Sequence, residues 1–558
     1  MDFFRNHLKL KGMTVSTESG LRELMSQRKQ IEGLSIGSGR SSGLLMSLTF
    51  VIRRMRLVVT CIFVAFLCAV PCGATAADGN ASLYLSDEVV PWDDLGKDFV
   101  ERPKPVTEVI EDAIYPENKE RDRIIKEAHV TGNADLLETA PERRNIFGGN
   151  PFLGSGKIDE GFEIATGAVW QPNLIIYGEF RTAIQSFDGG FGNDAEWANR
   201  LDIFGNLYLT PTERILIGFR PLDRDGDFTG YQFNGVDKGF FETLNATINT
   251  FFFEGDFGEL FPRLDPNDSR SLDYGIAFGR QPINFQDGIM INDTIDSIGI
   301  SRASLFSFGA NATRITGLLG LNELHRGDNI RDSRAKVVGL LTSMDYDKST
   351  LEVDAAYVEG SSATGGDGFY AGIGDTRRIS EWNSTLRVNG SWALNGPGSL
   401  AVDSGFVITS MLSRTMTYND DIFYFDSFYG NGNYTSVARD PSVGGPLGGI
   451  GILYASAGLG DYSAPLGNQV GNGVGFASGY QAFLGGAHKA QLIYELGGRA
   501  GTRSGAESSL GFGMRYQRAF GQHSILRLDG FAAGYNDDLR PLRDDFGWGL
   551  RCEWRVKF

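Results

Sequence analysis

Long hydrophobic runs are nearly missing from this 558-residue sequence. The most apolar stretch, Leu57 to Val70, is interrupted only by Thr60 and has 14 residues, short of the ~20 that a helix needs to cross a bilayer. This argues against a helical membrane protein. Cysteine is also scarce. Three of the four (Cys61, Cys68 and Cys72) lie in or beside that stretch, and only Cys552 lies far from it, so the remainder of the chain has no disulfide of its own. Positive charge is in deficit, with 52 Lys and Arg against 69 Asp and Glu and a net of −17. Binding to nucleic acid needs the opposite balance, because cations must displace counterions from phosphates. The five histidines (His7, His129, His325, His488, His523) fall in no His-Glu-x-x-His or Cys-x-x-Cys-His arrangement. No glycine-rich phosphate loop sits between a strand and a helix, so no enzymatic activity is expected.

The short apolar run has a different use. Arg53, Arg54 and Arg56 precede it and Ala74-Thr75-Ala76 follows it, which gives the basic, apolar and small-residue parts of a secretory signal. We read residues 55–76 as that signal, with Met55 or Met46 as the true start and residues 1–54 as an over-extended start or a long leader. Without residues 1–76 the chain keeps 42 basic and 65 acidic residues, a net of −23. Residues 77–160 are acidic and marked by prolines, with at most short helices. They read as a periplasmic segment that either hangs free or tucks into the mouth of the larger C-terminal part.

What is abundant is alternation. The last thirteen residues, FGWGLRCEWRVKF, place Phe546, Trp548, Leu550, Cys552, Trp554, Val556 and Phe558 on one face and Arg551, Glu553, Arg555 and Lys557 on the other. A period of two without error is a strand with one oily and one charged side. The same pattern recurs from about Pro172 onward, with Gly-rich or Asn-Gly joints between segments. Short turns alternate with long connections, read at Asp223–Asn245, Gly360–Glu381, Arg414–Gly445 and Gly460–Gly473. Residues 161–558 therefore read as an all-β, antiparallel, up-and-down transmembrane barrel of about 16 strands, with 14 and 18 both open. Closure is expected because an open sheet of this length would leave edges that aggregate.

The closing stretch resembles the final strand of Gram-negative outer-membrane β-barrel porins, which ends in Phe with apolar residues at alternate positions before it. Leu550, Cys552, Trp554, Val556 and Phe558 match that pattern. The resemblance implies an outer-membrane location, recognition by the barrel-assembly machinery and a homotrimer as in general porins. On the reading of a water-filled channel for small ions and sugars, Arg515, Arg527, Asp529, Arg551, Glu553 and Arg555 face the lumen. There they either form a positive track or pair across strands. A second stretch, Phe278 to Arg302, is polar and poorly alternating. It resembles a segment of alginate-export and other substrate-specific porins, which would put Arg280, Asp287, Asp293 and Asp296 near the constriction; an ordinary loop with Asx turns is the plainer reading. The aromatics of Arg414–Gly445 (among them Tyr418, Phe423, Tyr424, Phe425, Phe428 and Tyr429) form either a sugar-stacking loop or the aromatic girdle at the membrane surface. Asp223, Asp225 and Asp227 alternate beside Gly226, a spacing that would suit a loop-bound Ca2+; no other cofactor is expected. Two alternatives to the general channel stay open: a polysaccharide or oligosaccharide channel, and a plugged barrel with a structural or adhesive role.

Overall fold

The computed structural model describes residues 161–558, apart from 235–237, 268, 362–363, 396–397, 418–419, 485–488, 503–507 and 537–543. The expected leader, signal and acidic segment, and Tyr418, lie outside the described residues. Among the described residues no helix is long and apolar enough to cross a membrane, and the wall is built of strands.

Eighteen strands close into one antiparallel barrel. The first six are β1 (Asn173–Asp188), β2 (Asn193–Tyr208), β3 (Arg214–Phe219), β4 (Ile248–Asp256), β5 (Gly275–Phe285) and β6 (Ile291–Leu305). They continue as β7 (Ala312–Leu321), β8 (Lys336–Asp345), β9 (Ser349–Glu359), β10 (Gly368–Ile379), β11 (Trp382–Ala393) and β12 (Gly405–Thr415). The last are β13 (Ile422–Gly432), β14 (Gly473–Leu484), β15 (Ala490–Gly501), β16 (Ser508–Phe520), β17 (Ser524–Asn536) and β18 (Phe546–Lys557). The barrel closes where β18 pairs with β1, with Arg551 opposite Gln185 and Glu553 opposite Ala183. The count exceeds the expected sixteen for a traceable reason. Phe278–Arg302, read as loop, holds parts of two strands, and Phe423, Tyr424, Phe425, Phe428 and Tyr429 of Arg414–Gly445 lie on β13.

Connections at one end are short, such as 209–213, 346–348 and 380–381; at the other end they include 220–247, 322–335 and 433–472. Of the loop expected at Arg414–Gly445 only residues 433–445 belong to a long connection, 433–472, which they share with the loop expected at Gly460–Gly473, while Gly360–Glu381 is mostly β10. Alternation sorts the wall cleanly. One set is apolar and exposed on the outside, for example Ile184 (62%), Phe251 (53%), Val338 (56%) and Leu340 (58%). The other set faces inward and is largely buried, including Arg181, Gln185, Asp529, Arg551 and Glu553.

Two features fill the interior. The first is the upper part of the β5–β6 hairpin. The β4–β5 ladder ends at Phe251 opposite Arg280, and the β6–β7 ladder ends at Asp296 opposite Leu321. Yet β5 and β6 remain paired up to Phe285 and Ile291, so residues 281–295 leave the wall and fold into the barrel. Gly279 makes the bend, with φ of +123° and a position where a Cβ would lie 2.3 Å from the Phe251 carbonyl oxygen. No other residue fits there. Inside, Met290, Ile291 and Ile295 pack on Val337, Leu341, Val358 and Tyr370 of the inner wall. Gln286 Nε2 donates to Asp354 Oδ2 at 2.6 Å.

The second feature is connection 433–472, which lines the interior with Leu447, Ile450, Leu453, Tyr454, Leu466 and Val470. They pack on the inward Phe187, Val407, Phe428, Ala477, Phe531 and Tyr535. A two-residue parallel ladder joins the two features, Ile291 with Ala438 and Asn292 with Arg439.

Candidate functional site: a constriction between hairpin, loop and wall

The inward hairpin and loop 433–472 leave a cavity of about 520 Å3 against the strands β1 to β3. On its wall side stand Arg181, Arg200 and Arg220, one guanidinium each from β1, β2 and the end of β3. Opposite are Asp287 and Asp293 on the hairpin and Asp440 on the loop.

Every one of these groups is held. Arg181 donates through Nε to Glu553 at 2.6 Å and through Nη2 to the Ala457 carbonyl at 2.9 Å. Arg200 pairs with Asp202 at 2.9 Å and donates to the Gly458 carbonyl at 3.2 Å. Arg220 shares Asp202 at 2.8 Å and reaches Asp440 at 3.5 Å. Asp287 pairs with Arg387 at 2.7 Å. Asp293, fully covered, accepts from the backbone N–H of His325 and contacts its Nδ1, both at 2.8 Å. Burial opposes charge on Asp440, but Arg220 and two hydrogen bonds from Ser442 outweigh it and hold the carboxyl below its usual range. Burial likewise disfavours the His325 imidazolium, yet Asp293, Asp440 and Glu323 raise it above the usual histidine value. Arg439 also borders the cavity but spends its donors on the Gly444 and Gly445 carbonyls, at 2.6 and 2.8 Å.

The sequence-derived residues divide between this place and others. Asp287 and Asp293 line the cavity. Arg280 and Asp296 pair with each other at 2.7 Å where the hairpin departs, and Arg280 lines a smaller adjoining cavity of about 130 Å3 with His325 and Asp440. Arg515, Arg527, Asp529, Arg551, Glu553 and Arg555 face inward, as the alternation requires, but form a covered network that meets the cavity only through the Arg181–Glu553 pair. Asp529 takes Arg515 at 2.5 Å and Arg551 at 3.1 Å; Glu553 takes Arg551 at 2.6 Å and Arg555 at 2.8 Å. The side chains of Arg551 and Glu553 have no exposed surface. These charges therefore do not stand in open water; they are tolerated because each is paired. Leu550, Cys552 and Trp554 lie on the outward face as expected, and the Phe558 ring lies over Gly178.

The three aspartates read as calcium ligands lie in a tight hairpin. Asp223–Arg224 and Asp227–Gln232 form a hairpin whose turn residues Asp225 and Gly226 have φ of +55° and +94°. Asp223 spends one oxygen on the Gly226 N–H. Among the described residues no group of three or more His, Cys, Asp or Glu side chains is disposed to hold a metal. The aromatics of β13 are also divided rather than gathered: Phe425 and Tyr429 are exposed on the outside, while Phe428 packs on the inner loop.

No protein-family model matches the sequence, and no curated protein sequence is similar to it. Solved structures are similar in backbone. The outer membrane protein OprD of Pseudomonas aeruginosa is 11% identical, with 72% of this chain and 95% of that chain covered and a TM-score of 0.43. OccK5 (OpdH) of the same organism is 9% identical, covering 69% and 98%, with a TM-score of 0.42. Wzi of Escherichia coli, described as a carbohydrate-binding β-barrel of capsule assembly, is 11% identical, covering 67% and 83%, with a TM-score of 0.38.

Proposed function

We propose that the protein is an outer-membrane channel for passive diffusion of small hydrophilic solutes, with the cavity of Arg181, Arg200 and Arg220 as its narrow point. The apolar exterior supports the membrane part of this reading. A band of exposed Ile, Leu, Val and Phe around a closed wall is costly in water, at about 25 cal/mol per Å2, and costless in a bilayer. Lipid is then the partner of the outward face, the long connections face outside and the short turns face the periplasm. On this reading residues 55–76 direct export, Leu550 to Phe558 are the signal for barrel assembly, and a homotrimer is the expected assembly.

The observation that carries the channel is the opposition of charges across the cavity. Three arginines on neighbouring strands face Asp287, Asp293 and Asp440, which sets a field across the path of a solute and orients dipoles as they pass. Below it lie five arginines, counting Arg181, around Asp529 and Glu553; this local excess of positive charge favours small anionic solutes such as carboxylates over cations.

The test is a planar-bilayer recording of the refolded protein. Stepwise conductance is expected, with a reversal potential favouring anions that moves toward neutrality in Arg200→Gln. Silence in the bilayer would remove the channel. The second reading, a plugged barrel, is favoured by the packing of loop 433–472 across the lumen; it predicts conductance only after residues 447–466 are excised.

A further inference from the structure

The cavity of the constriction has a smaller neighbour, of about 130 Å3, at the end of the long connections. Around it stand the exposed Asp225, Thr247 and Arg331, from the connections 220–247 and 322–335. Arg280, Glu323 and His325 also line it, and none of these six residues borders the larger cavity. Only Arg220, Thr294 and Asp440 line both. Thr294 is short, so what separates the two spaces is the Arg220 guanidinium against the Asp440 carboxylate.

The two halves of this partition are not equally fixed. Asp440 is tied down through main chain and side chain alike. Its N–H donates to the Asn292 carbonyl at 2.9 Å and its carbonyl accepts from Asn329 Nδ2 at 3.1 Å. Its Oδ1 accepts from the Ser442 N–H at 2.8 Å and from the Ser442 hydroxyl at 2.6 Å. Arg220 has a fixed main chain, with its carbonyl accepting from Asn245 Nδ2 at 3.1 Å, but its side chain has one close partner, Asp202, at 2.8 Å from Nε. The far end of the guanidinium lies between two carboxylates and is close to neither. Nη1 is 3.5 Å from Asp440 Oδ2 and 3.9 Å from Asp223 Oδ2. A charge-assisted bond is complete at roughly 2.7–2.9 Å, so a swing of about 1 Å about the Asp202 contact completes either bond and gives up the other. Asp223 lines only the smaller of the two cavities, and a bond to it draws the guanidinium out of the partition.

We propose that Arg220 is a latch between the two cavities, closing the passage when it bonds Asp440 and opening it when it bonds Asp223. This rests on the channel reading above and adds to it a route, from the smaller cavity into the larger, and a moving part. Neither position strands a buried charge. Asp440 keeps Ser442 when the arginine leaves it, Asp223 keeps the Gly226 N–H at 3.3 Å, and Arg220 keeps Asp202 throughout. The exchange therefore avoids the penalty of breaking a buried pair, and the two positions stand close enough in free energy for both to be populated.

The test is single-channel recording of the parent, Asp223→Asn and Asp440→Asn. Each substitution removes one negative charge beside the same guanidinium and keeps an oxygen for Gly226 or Ser442, so a plain effect of charge or structure moves both variants in one direction. The latch predicts opposite directions. The mean closed time should lengthen in D223N and shorten in D440N, each by roughly fivefold, which corresponds to about 1 kcal/mol of partly screened ion pairing. Shifts of the same sign, or none in either variant, would overturn the latch while the parent's conductance steps keep the channel. A silent parent removes the channel instead, and the latch is then read in detergent with the four native cysteines changed to Ser. A negatively charged methanethiosulfonate should modify Ser456→Cys, which lines the larger cavity alone, faster in D440N and slower in D223N; equal rates would overturn the proposal.

Discussion

The connection 433–472 is held inside the barrel by two kinds of contact, and removing them separately should have unequal consequences. Glu495, on the inner face of β15 and fully buried, accepts at Oε2 from the Ile452 N–H at 2.8 Å and at Oε1 from the Leu453 N–H at 2.9 Å. It also accepts from the Tyr424 hydroxyl. Glu495→Ala strands two buried amides and a phenol, at about 1–3 kcal/mol each before water enters to relieve them. Glu495→Gln keeps one acceptor oxygen and should fall between. Against this stand Leu447, Ile450, Leu453, Tyr454, Leu459 and Leu466, all at 0–1% exposure; at roughly 1.5–3 kcal/mol each, their burial is worth on the order of 10 kcal/mol, an upper figure. The apolar contribution is the larger, so Glu495→Ala should lower the urea midpoint of the refolded barrel while leaving its single-channel conductance close to that of the parent. Leu453→Asp with Leu466→Asp removes two apolar anchors and buries charge, and should raise conductance severalfold. If Glu495→Ala alone opened the pore as far as excision of residues 447–466, the claim that apolar packing seats the loop would be refuted.

The hairpin and its neighbours give two further outcomes. A histidine whose folded value is raised contributes stability that is present below its unfolded value of 6.5 and lost as pH climbs through the folded value. The clamp of His325 on Asp293, with Asp440 and Glu323 beside it, should therefore weaken as pH rises above about 6.5. Current noise and thermal stability across pH 6 to 9 should show this in the parent and lose it in His325→Gln. Gly279→Ala places a Cβ against the Phe251 carbonyl oxygen in a backbone region closed to side chains, at a cost of roughly 3 kcal/mol or more. Its folded fraction, read from the heat-modifiable gel shift, should drop sharply, and a change under about 1 kcal/mol would mean that the hairpin does not turn inward at this residue.

The wall was legible because water and apolar medium lie on its two sides, and that is what writes a period of two into the sequence. It is cleanest in β18, where Trp548, Leu550, Cys552 and Trp554 alternate with Gly549, Arg551 and Glu553. The stretch 278–302 hid its two strands for the same reason in reverse. From 281 to 295 both faces of the hairpin touch protein, with Ile291 and Ile295 on the core side and Asn292 and Thr294 toward the cavities, so neither face need be uniformly oily or polar. The glycine at 279 was visible but not its positive φ. The hairpin at Asp223–Gln232 was open to reading from its turn chemistry, since an Asp-Gly pair between short alternating segments favours such a turn.

The arginines of the constriction escaped notice, although a signal for two of them was present. β1 and β2 are joined by residues 189–192, and in that register Arg181 faces Arg200 directly. Like charges directly opposite on one face of a sheet destabilise it, so a pair of this kind implies acceptors supplied from elsewhere. Those acceptors are Glu553 from β18, Asp202 along β2, and the carbonyls of Ala457 and Gly458 from loop 433–472, the last of which takes both arginines at 3.2 Å. The loop is therefore placed by the repulsion of the wall as well as by its own apolar residues. The same two guanidiniums that draw the loop inward border the opening that it leaves, so the width of the constriction and the charge that lines it are set by one arrangement.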